Sequence, residues 1–333
     1  MAGRFVRMRL GVLDIGSNTG HLLVVDAHRG AAPLPAYSHK EPLRLAEHLE
    51  DGEVTKSGIK ALTKFVADAV VVAEDKGAQD MLGFATSAVR DARNSDAVLD
   101  HVADETGVRI AVLPGDDEAR LTFLAVRRWF GWSAGRLAVF DIGGGSLEIA
   151  GGSDEEPDVA WSIPLGAARL AREHFQKGNP GESAIRALRK KIRADIAEDA
   201  GRLLRGGPPD MAAATSKTFR SLARLTGAAP FGAGPRVKRT LTAAGLRQLI
   251  AFISRMTATD RAELEGVSAE RAPQIVAGAL VAEASMRALA IDTVDICPWA
   301  LREGLILRKL DSEADGTALI ATSAGLARAR DTR

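Results

Sequence analysis

Twice in this chain an apolar run closes on Asp-Ile-Gly and a small polar turn, and that duplication constrains the fold more than any other feature. The first copy is Gly11-Val12-Leu13-Asp14-Ile15-Gly16-Ser17-Asn18-Thr19; the second is Ala138-Val139-Phe140-Asp141-Ile142-Gly143-Gly144-Gly145-Ser146. Each run reads as a buried strand. Each turn leads into a further apolar stretch, Leu22-Leu23-Val24-Val25 or Leu147-Glu148-Ile149-Ala150, so each copy is a predicted hairpin. One Asp-Ile-Gly alone would be an ordinary turn, whereas two at the same place in a strand pattern predict two related halves. Turns of Gly, Ser, Asn and Thr expose backbone N–H groups beside hydroxyls, which makes a concave cradle for phosphate oxygens. On this reading Gly16, Ser17, Asn18 and Thr19, and Gly143, Gly144, Gly145 and Ser146, are candidate phosphate contacts. Neither copy is a Walker loop, and neither is the Gly-x-Gly-x-x-Gly turn that leads from strand into helix.

A second signal is also doubled. Ala85-Thr86-Ser87 follows a predicted strand over 81–85 and precedes a helix carrying Arg90; Ala214-Thr215-Ser216 follows a strand and precedes a helix carrying Arg220. Thr86 and Ser87 are the predicted N-cap hydroxyls, and strand, cap and helix together suit an anion. Arg90 and Arg93 could clamp phosphate bidentately. Repetition of hairpin, strand, cap and helix predicts two domains facing each other across a cleft, divided at the Gly-flanked break over 131–135.

Composition narrows the class. The chain has 333 residues, is 46% hydrophobic and 26% charged, and carries a formal net charge of +1. These values describe a soluble globular protein with no overall field to gather nucleic acid. A single cysteine, Cys297, read as buried packing, leaves no internal disulfide and points to a reducing compartment. No apolar run nears the roughly 18 residues of a membrane span, so a cytoplasmic protein is expected. Helical spacing covers 54–76, 184–204, 242–256 and 272–289, a strand is expected over 107–113, and Asp116, Asp117 and Glu118 open a further helix. The basic loop 234–239 is read as a solvated surface feature rather than the rim of a polyanion groove. Residues beyond 311 lack a sustained apolar face, and 321–333 are expected to be a mobile tail.

Strand alternation puts Asp14 with Val12, and Glu148 with Ser146, away from their apolar neighbours. Asp14, Asp141 and Glu148 are therefore candidate ligands for Mg²⁺, or Mn²⁺ in its place, held by carboxylates together with phosphate oxygens. Such a site suits attack on a phosphoanhydride, in which a carboxylate orients water. The candidates for that carboxylate are Glu148, Asp116, Asp117 and Glu118, and the residues alone do not choose among them, because acids in a first helical turn also serve the macrodipole.

Read in order, Asp14-Ile15-Gly16-Ser17-Asn18-Thr19, Ala85-Thr86-Ser87-Ala88-Val89-Arg90-Asp91-Ala92-x-Asn94, Glu118-Ala119-Arg120, Asp141-Ile142-Gly143-Gly144-Gly145-Ser146-x-Glu148, Pro164-Leu165-Gly166 and Leu301-Arg302-Glu303-Gly304 resemble the exopolyphosphatase and guanosine pentaphosphate phosphohydrolase family. The resemblance spans nearly the whole chain. It implies an α/β protein of two actin-like (ribonuclease H-like) domains, in the superfamily of sugar kinases, heat-shock ATPases and actin. Residues 1–132 with about 300–320 would form the first domain and 133–299 the second. It also implies Glu118 as the base that activates water, catalytic roles for Asp141 and Glu148, and phosphate contacts from the Gly-rich turns, Arg90, Asn94, Ser216, Lys217 and Thr218. His21, Leu147 and Ser216-Lys217-Thr218 depart from the family pattern, and the length matches the short form without a helical C-terminal region.

The expected activity is removal of terminal orthophosphate from inorganic polyphosphate, favouring shorter chains, with guanosine pentaphosphate 5′-phosphohydrolysis as the alternative. Two further readings are an actin-like nucleotide-binding protein or kinase, for which no clear adenosine loop stands near Ala214, and a non-enzymatic alarmone sensor, against which Glu118 and Glu148 argue. The expected partners are these phosphate substrates, with neither nucleic acid nor membrane; a homodimer is allowed for.

Overall fold

The computed structural model describes residues 8–28, 30–175 and 180–315. The first elements are the strands β1 (Met8–Ile15), β2 (Thr19–Ala27), β3 (Leu34–Pro42), β4 (Leu49–Glu50) and β5 (Glu53–Val54), then helix α1 (Lys56–Asp75), strand β6 (Asp80–Ala85), helices α2 (Ser87–Arg90) and α3 (Ser95–Thr106) and strand β7 (Ile110–Val112). Helix α1 follows the apolar spacing of its sequence: Leu62, Phe65, Val66, Ala69 and Ala73 are buried on one stripe, and the Thr55 hydroxyl caps its start by accepting from Gly58 N–H. That stripe packs with Leu13, Ile15, Leu22 and Val24 of the first hairpin and with Val98 and Val102 of α3. Strand β7 is shorter than the predicted 107–113, because Gly107 in the left-handed conformation caps α3 and the chain turns there before extending.

The next elements are α4 (Gly115–Phe130), β8 (Leu137–Ile142), β9 (Leu147–Gly152), β10 (Val159–Ile163), α5 (Ala167–His174), α6 (Glu182–Leu204), β11 (Met211–Ala214), α7 (Ser216–Leu225), β12 (Thr240–Thr242), α8 (Ala243–Ile253), α9 (Ala258–Ala262), α10 (Ile275–Ala288) and β13 (Thr293–Ile296); α11 (Leu301–Asp315) follows. Helix α10 is apolar nearly all round and buried nearly all round, as the centre of a layer must be. No helix among the described residues is long and apolar enough to cross a membrane. Cys297 is buried, as expected.

The two sheets carry the duplication. The first has the order β3-β2-β1-β6-β7 and the second β10-β9-β8-β11-β13-β12. In each, an antiparallel meander of three strands is followed by two parallel strands on the other side of the first, and β12 adds an antiparallel edge to the second. This is the actin-like arrangement that the resemblance implies, present twice.

The chain divides into two compact units, one holding the residues up to Pro114 and from Arg302 onward, the other Gly115–Leu301. The division therefore falls before α4, not at 131–135. The cause is the apolar stripe of α4: Ala119, Phe123 and Val126 are buried against Leu137, Val139, Ala150 and Ala213 of the second sheet. Amphipathic spacing shows that a helix has a buried face but not which sheet will take it. Within the first unit, α11 is tied to the sheet by Arg302–Asp14 and by Lys309 Nζ–Asp80 Oδ2 at 3.0 Å. The tail at 321–333 lies outside the described residues.

A fragment spanning 115–301 is expected to unfold cooperatively on its own. A fragment starting at 133 should aggregate or show no cooperative transition, since losing Phe123 alone from such an interface costs about 3–5 kcal/mol; thermal unfolding followed by circular dichroism would check both.

Candidate active site

The two Asp-Ile-Gly turns are closed by the same hydrogen bond. Gly16 N–H donates to Thr19 O at 3.0 Å in the first, and Gly143 N–H donates to Ser146 O at 2.9 Å in the second. The remaining polar groups are sorted by sign. In the first turn Ser17 O accepts from Ala46 N–H, and Asn18 O accepts from both Leu43 N–H and Arg44 N–H. In the second, Gly143 O accepts from Ala167 N–H and Gly144 O from Arg169 N–H, at 3.0 and 2.9 Å. The amides of Ser17, Asn18, Gly144 and Gly145 donate to no other group among the described residues. Each turn thus has three of its four carbonyls tied down, all but Gly16 O and Gly145 O, and two amides left over as donors, a polarity that suits an anion.

The tie in the second turn depends on Gly166, the last residue of the Pro-Leu-Gly motif and the N-cap of α5. A Cβ there would sit 2.2 Å from the carbonyl carbon of Gly145 and 2.4 Å from that of Gly144. Backbone cannot yield as a side-chain tip can, so only glycine lets α5 reach the turn.

Asp141 and Glu148 stand directly opposite one another on β8 and β9. Their side chains share a sheet face with Val139 and Ala150, the face that α4 covers. Each has a hydroxyl donor: Thr215 Oγ1–H donates to Asp141 Oδ2, and Ser162 Oγ–H donates to Glu148 Oε1 at 2.9 Å. Helix α4 itself brings Glu118, which is buried in its first turn while Asp116 and Asp117 are exposed. Burial thus separates Glu118 from the two acids that sequence alone left beside it as candidates.

Asp14 lies in the first unit, where its carboxylate faces Arg302 Nε of α11 at 3.6 Å. The same guanidinium reaches His21 Nδ1, and His21 Nε2 lies 2.8 Å from Ser38 Oγ. No group of three or more His, Cys, Asp or Glu side chains is gathered for a metal among the described residues.

Several expected contacts are spent elsewhere. Asn94 forms a two-way bridge to the backbone of Val54, accepting from its N–H at 2.9 Å and donating to its carbonyl at 3.0 Å, so it fastens β5 instead of presenting its amide to phosphate. Thr218 Oγ1–H is given to Ile142 O at 3.0 Å, and the residue is buried. Arg93 bonds the carbonyl of Asp51 and pairs with Glu53 at 3.7 Å. Arg90 is partly buried; it pairs with Asp91 and donates at 3.2 Å to the carbonyl of Leu113, the residue after β7. Lys217 is exposed in the first turn of α7.

The two helix starts share a backbone conformation, φ −113°, ψ −158° at Thr86 and φ −115°, ψ −158° at Thr215. Neither threonine caps its helix with its side chain. Hydroxyls at both starts turn to the hairpins: Ser87 Oγ lies 3.1 Å from Ser17 Oγ, and Thr215 holds Asp141. Ser216 occupies the left-handed region at φ +69°, where glycine is at home, and its Oγ accepts weakly from Phe219 N–H. Sequence reasoning did not find Ser162 or Thr215; both are ordinary polar residues until β10 and β11 are placed beside β9 and β8.

Gly166→Ala should lower stability by about 1–3 kcal/mol through overpacking and weaken phosphate binding at the adjoining turn. Thermal unfolding with and without inorganic phosphate reads both effects; an unchanged phosphate response would show that the turn does not depend on α5.

Comparison with known proteins agrees with this geometry. The profile of the Ppx/GppA phosphatase family matches residues 24–313. Exopolyphosphatase 1 of Mycobacterium tuberculosis is 66% identical over 317 residues, covering 95% of this chain and 92% of that one. Exopolyphosphatase 1 of Mycobacterium leprae is 64% identical over 327 residues, covering 98% and 95%. Among solved structures, an exopolyphosphatase from Cytophaga hutchinsonii superposes with a TM-score of 0.81 at 21% identity, over 93% of this chain and 99% of that one. The Aquifex aeolicus family member does so with 0.80 at 21%, over 92% and 99%; these two likenesses concern the fold alone. With doubled donor turns, paired acids on one sheet face and relatives at this identity over nearly its whole length, the chain belongs to the Ppx/GppA phosphatase family.

Proposed function

We propose that this protein is an exopolyphosphatase, a phosphoanhydride hydrolase that releases terminal orthophosphate from inorganic polyphosphate. The observation that carries the reading is the polarity of the two turns, in each of which two amides are left as donors while three of four carbonyls are tied back. Relatives bearing the name exopolyphosphatase over more than nine-tenths of both chains support it.

In the second unit the turn at 143–146 supplies N–H donors for the phosphoryl group under attack, in a fixed array that needs no reorganisation as charge develops. Glu118, buried at the start of α4, takes the proton as a water oxygen bonds to the terminal phosphorus. The bond from that phosphorus to the bridging oxygen breaks, and the shortened chain leaves with the bridging oxygen. The turn at 16–19 is a further set of phosphate donors, within the first unit.

The acids fit a divalent cation. Asp141 and Glu148 are like charges at one register position, a placement that costs energy unless a cation is shared between them. Hard oxygen donors from one or two carboxylates, with phosphate oxygens and water for the rest, are what Mg²⁺ takes. Mg²⁺ there would neutralise charge on the phosphoryl oxygens, with Thr215 and Ser162 orienting its two carboxylates. A protein with one buried cysteine and no membrane-crossing helix among its described residues suits a cytoplasmic setting.

Phosphate release from tripolyphosphate, long-chain polyphosphate and guanosine pentaphosphate, each with and without Mg²⁺, tests the assignment. Metal-dependent release from either polyphosphate is expected; release from guanosine pentaphosphate alone would move the activity to the nucleotide, and release from none would reject it. Glu118→Gln should lower kcat by about 10²–10⁴-fold with little change in thermal stability, and near-normal turnover would remove Glu118 from the base role. Thr215→Val, which keeps the volume and deletes the hydroxyl, should weaken Mg²⁺ activation by about 10–100-fold, read as a raised Mg²⁺ midpoint.

A further inference from the structure

The basic loop 234–239 carries three cations, and the structure separates them. Arg239 is buried and spent on the loop's own backbone, donating to Ala229 O, Pro230 O, Val237 O and Gly234 O. Lys238 pairs with Asp295 at 3.3 Å. Arg236 has neither kind of partner among the described residues and is exposed. Its guanidinium instead lies over the ring of Trp129, 4.8 Å from the centroid. Trp129 is itself set by an edge contact with Trp299, at 5.3 Å between centroids and 61° between planes. A solvated arginine normally samples many rotamers; this one is seated on a fixed aromatic shelf.

The shelf reaches away from the turn at 143–146: Trp129 sits eleven residues along α4 from Glu118, about 16 Å at 1.5 Å per residue, and Arg127 near it donates to Gly135 O and Gly152 O, by the amino end of β8. Trp299 lies in residues 297–300, which leave the carboxyl end of β13, and Cys297 N–H donates to Ala214 O, the last residue of β11. The carboxyl ends of the parallel strands β8, β11 and β13 carry the turn at 143–146, Thr215 and Trp299 in that order. Neighbouring strands are about 4.8 Å apart, so the end of β13 is roughly 10 Å from that of β8.

More positive charge is brought to the same residues. Arg220 of α7 donates to Pro298 O at 2.7 Å and stacks on Phe231 at 4.5 Å. Arg271 lies close enough to feel it: burial holds the Arg271 guanidinium below its ordinary range, Glu270 draws it back up, and the like charge of Arg220 adds to the lowering. Cations collected at one sheet end repel one another, and a polyanion lying across them relieves that repulsion.

We propose that Arg236, seated on Trp129, binds phosphates of the polyphosphate chain that lie beyond the reacting end, and so sets the preference of the enzyme for chain length. This rests on the exopolyphosphatase reading and adds to it a second binding locus within the second unit. Trp129, which seats Arg236, stands about 16 Å along α4 from Glu118, beyond the reach of three linked phosphates and within that of a long chain.

The test compares the full-length protein with Arg236→Ala and Arg236→Lys on tripolyphosphate and on long-chain polyphosphate. Losing one charge-assisted contact should raise KM for the long chain about tenfold, with kcat and both constants for tripolyphosphate within about twofold and partial recovery in the lysine variant. Equal changes for both substrates, or none for the long chain, would overturn the proposal. Binding of long-chain polyphosphate to Glu118→Gln, with and without Arg236→Ala, is measured by titration calorimetry in parallel. There a tenfold loss of affinity supports the locus even if no polyphosphate is hydrolysed, whereas undiminished binding sinks it. Absence of turnover by the parent protein on every polyphosphate would instead fall on the activity assignment.

Discussion

Backbone polarity at two tight turns governs what this molecule can bind. A peptide unit offers a donor and an acceptor together, so a loop can present donors alone only where its carbonyls are satisfied from behind. Here the amides of residues 43, 44 and 46 do this for the first turn, and those of Ala167 and Arg169 do it for the second. Two unrelated pieces of chain reach the same electrostatic result, which is more informative than the glycines themselves. Gly166 shows how tight the requirement is, because a single methyl group would separate α5 from the turn it serves.

Around the second turn the chemistry is graded by burial and by partner. Asp141 and Glu148 are aligned by the pleat and each is steadied by one hydroxyl, while Glu118 arrives from a helix laid over the same sheet face. The strand, its neighbour and the covering helix that carry these carboxylates are all rigid elements. The first unit repeats the hairpin but not the acid pair: opposite Asp14 on β2 stands His21, and Arg302 meets both. The duplicated scaffold has accordingly diverged, with the paired acids in one copy and an arginine-held acid in the other.

Much of this was legible beforehand, for physical reasons that can be named. Period-two apolar runs broken by glycine, and a strand followed by Thr-Ser and a helix, are local patterns, and both copies of each were found. Helix α1 was equally plain, its stripe of Leu62, Phe65, Val66 and Ala69 being its packing surface. What local pattern does not carry is allegiance and expenditure. Helix α4 advertises a buried face without naming its sheet. Asn94 and Thr218 look like anion ligands by type and position, yet Asn94 is bridged to the backbone of Val54 and the Thr218 hydroxyl proton is given to Ile142 O. Conversely Ser162 and Thr215 gained their roles only when strands far apart in sequence became neighbours. The left-handed backbone of Ser216 had a sequence trace, since serine stands where the family pattern is richer in glycine.

The unit spanning Gly115–Leu301 is inserted within the sequence of the other. A growing chain therefore synthesises the first sheet early and its closing helix α11 last, with an entire second core made in between. The inserted unit is contiguous and can condense as soon as it is complete, whereas the surrounding one must wait for residues 281 positions away from His21 to bring Arg302 to Asp14. During that interval the earliest segment to emerge stays unfinished, a kinetic vulnerability that belongs to the order of assembly and not to the finished molecule.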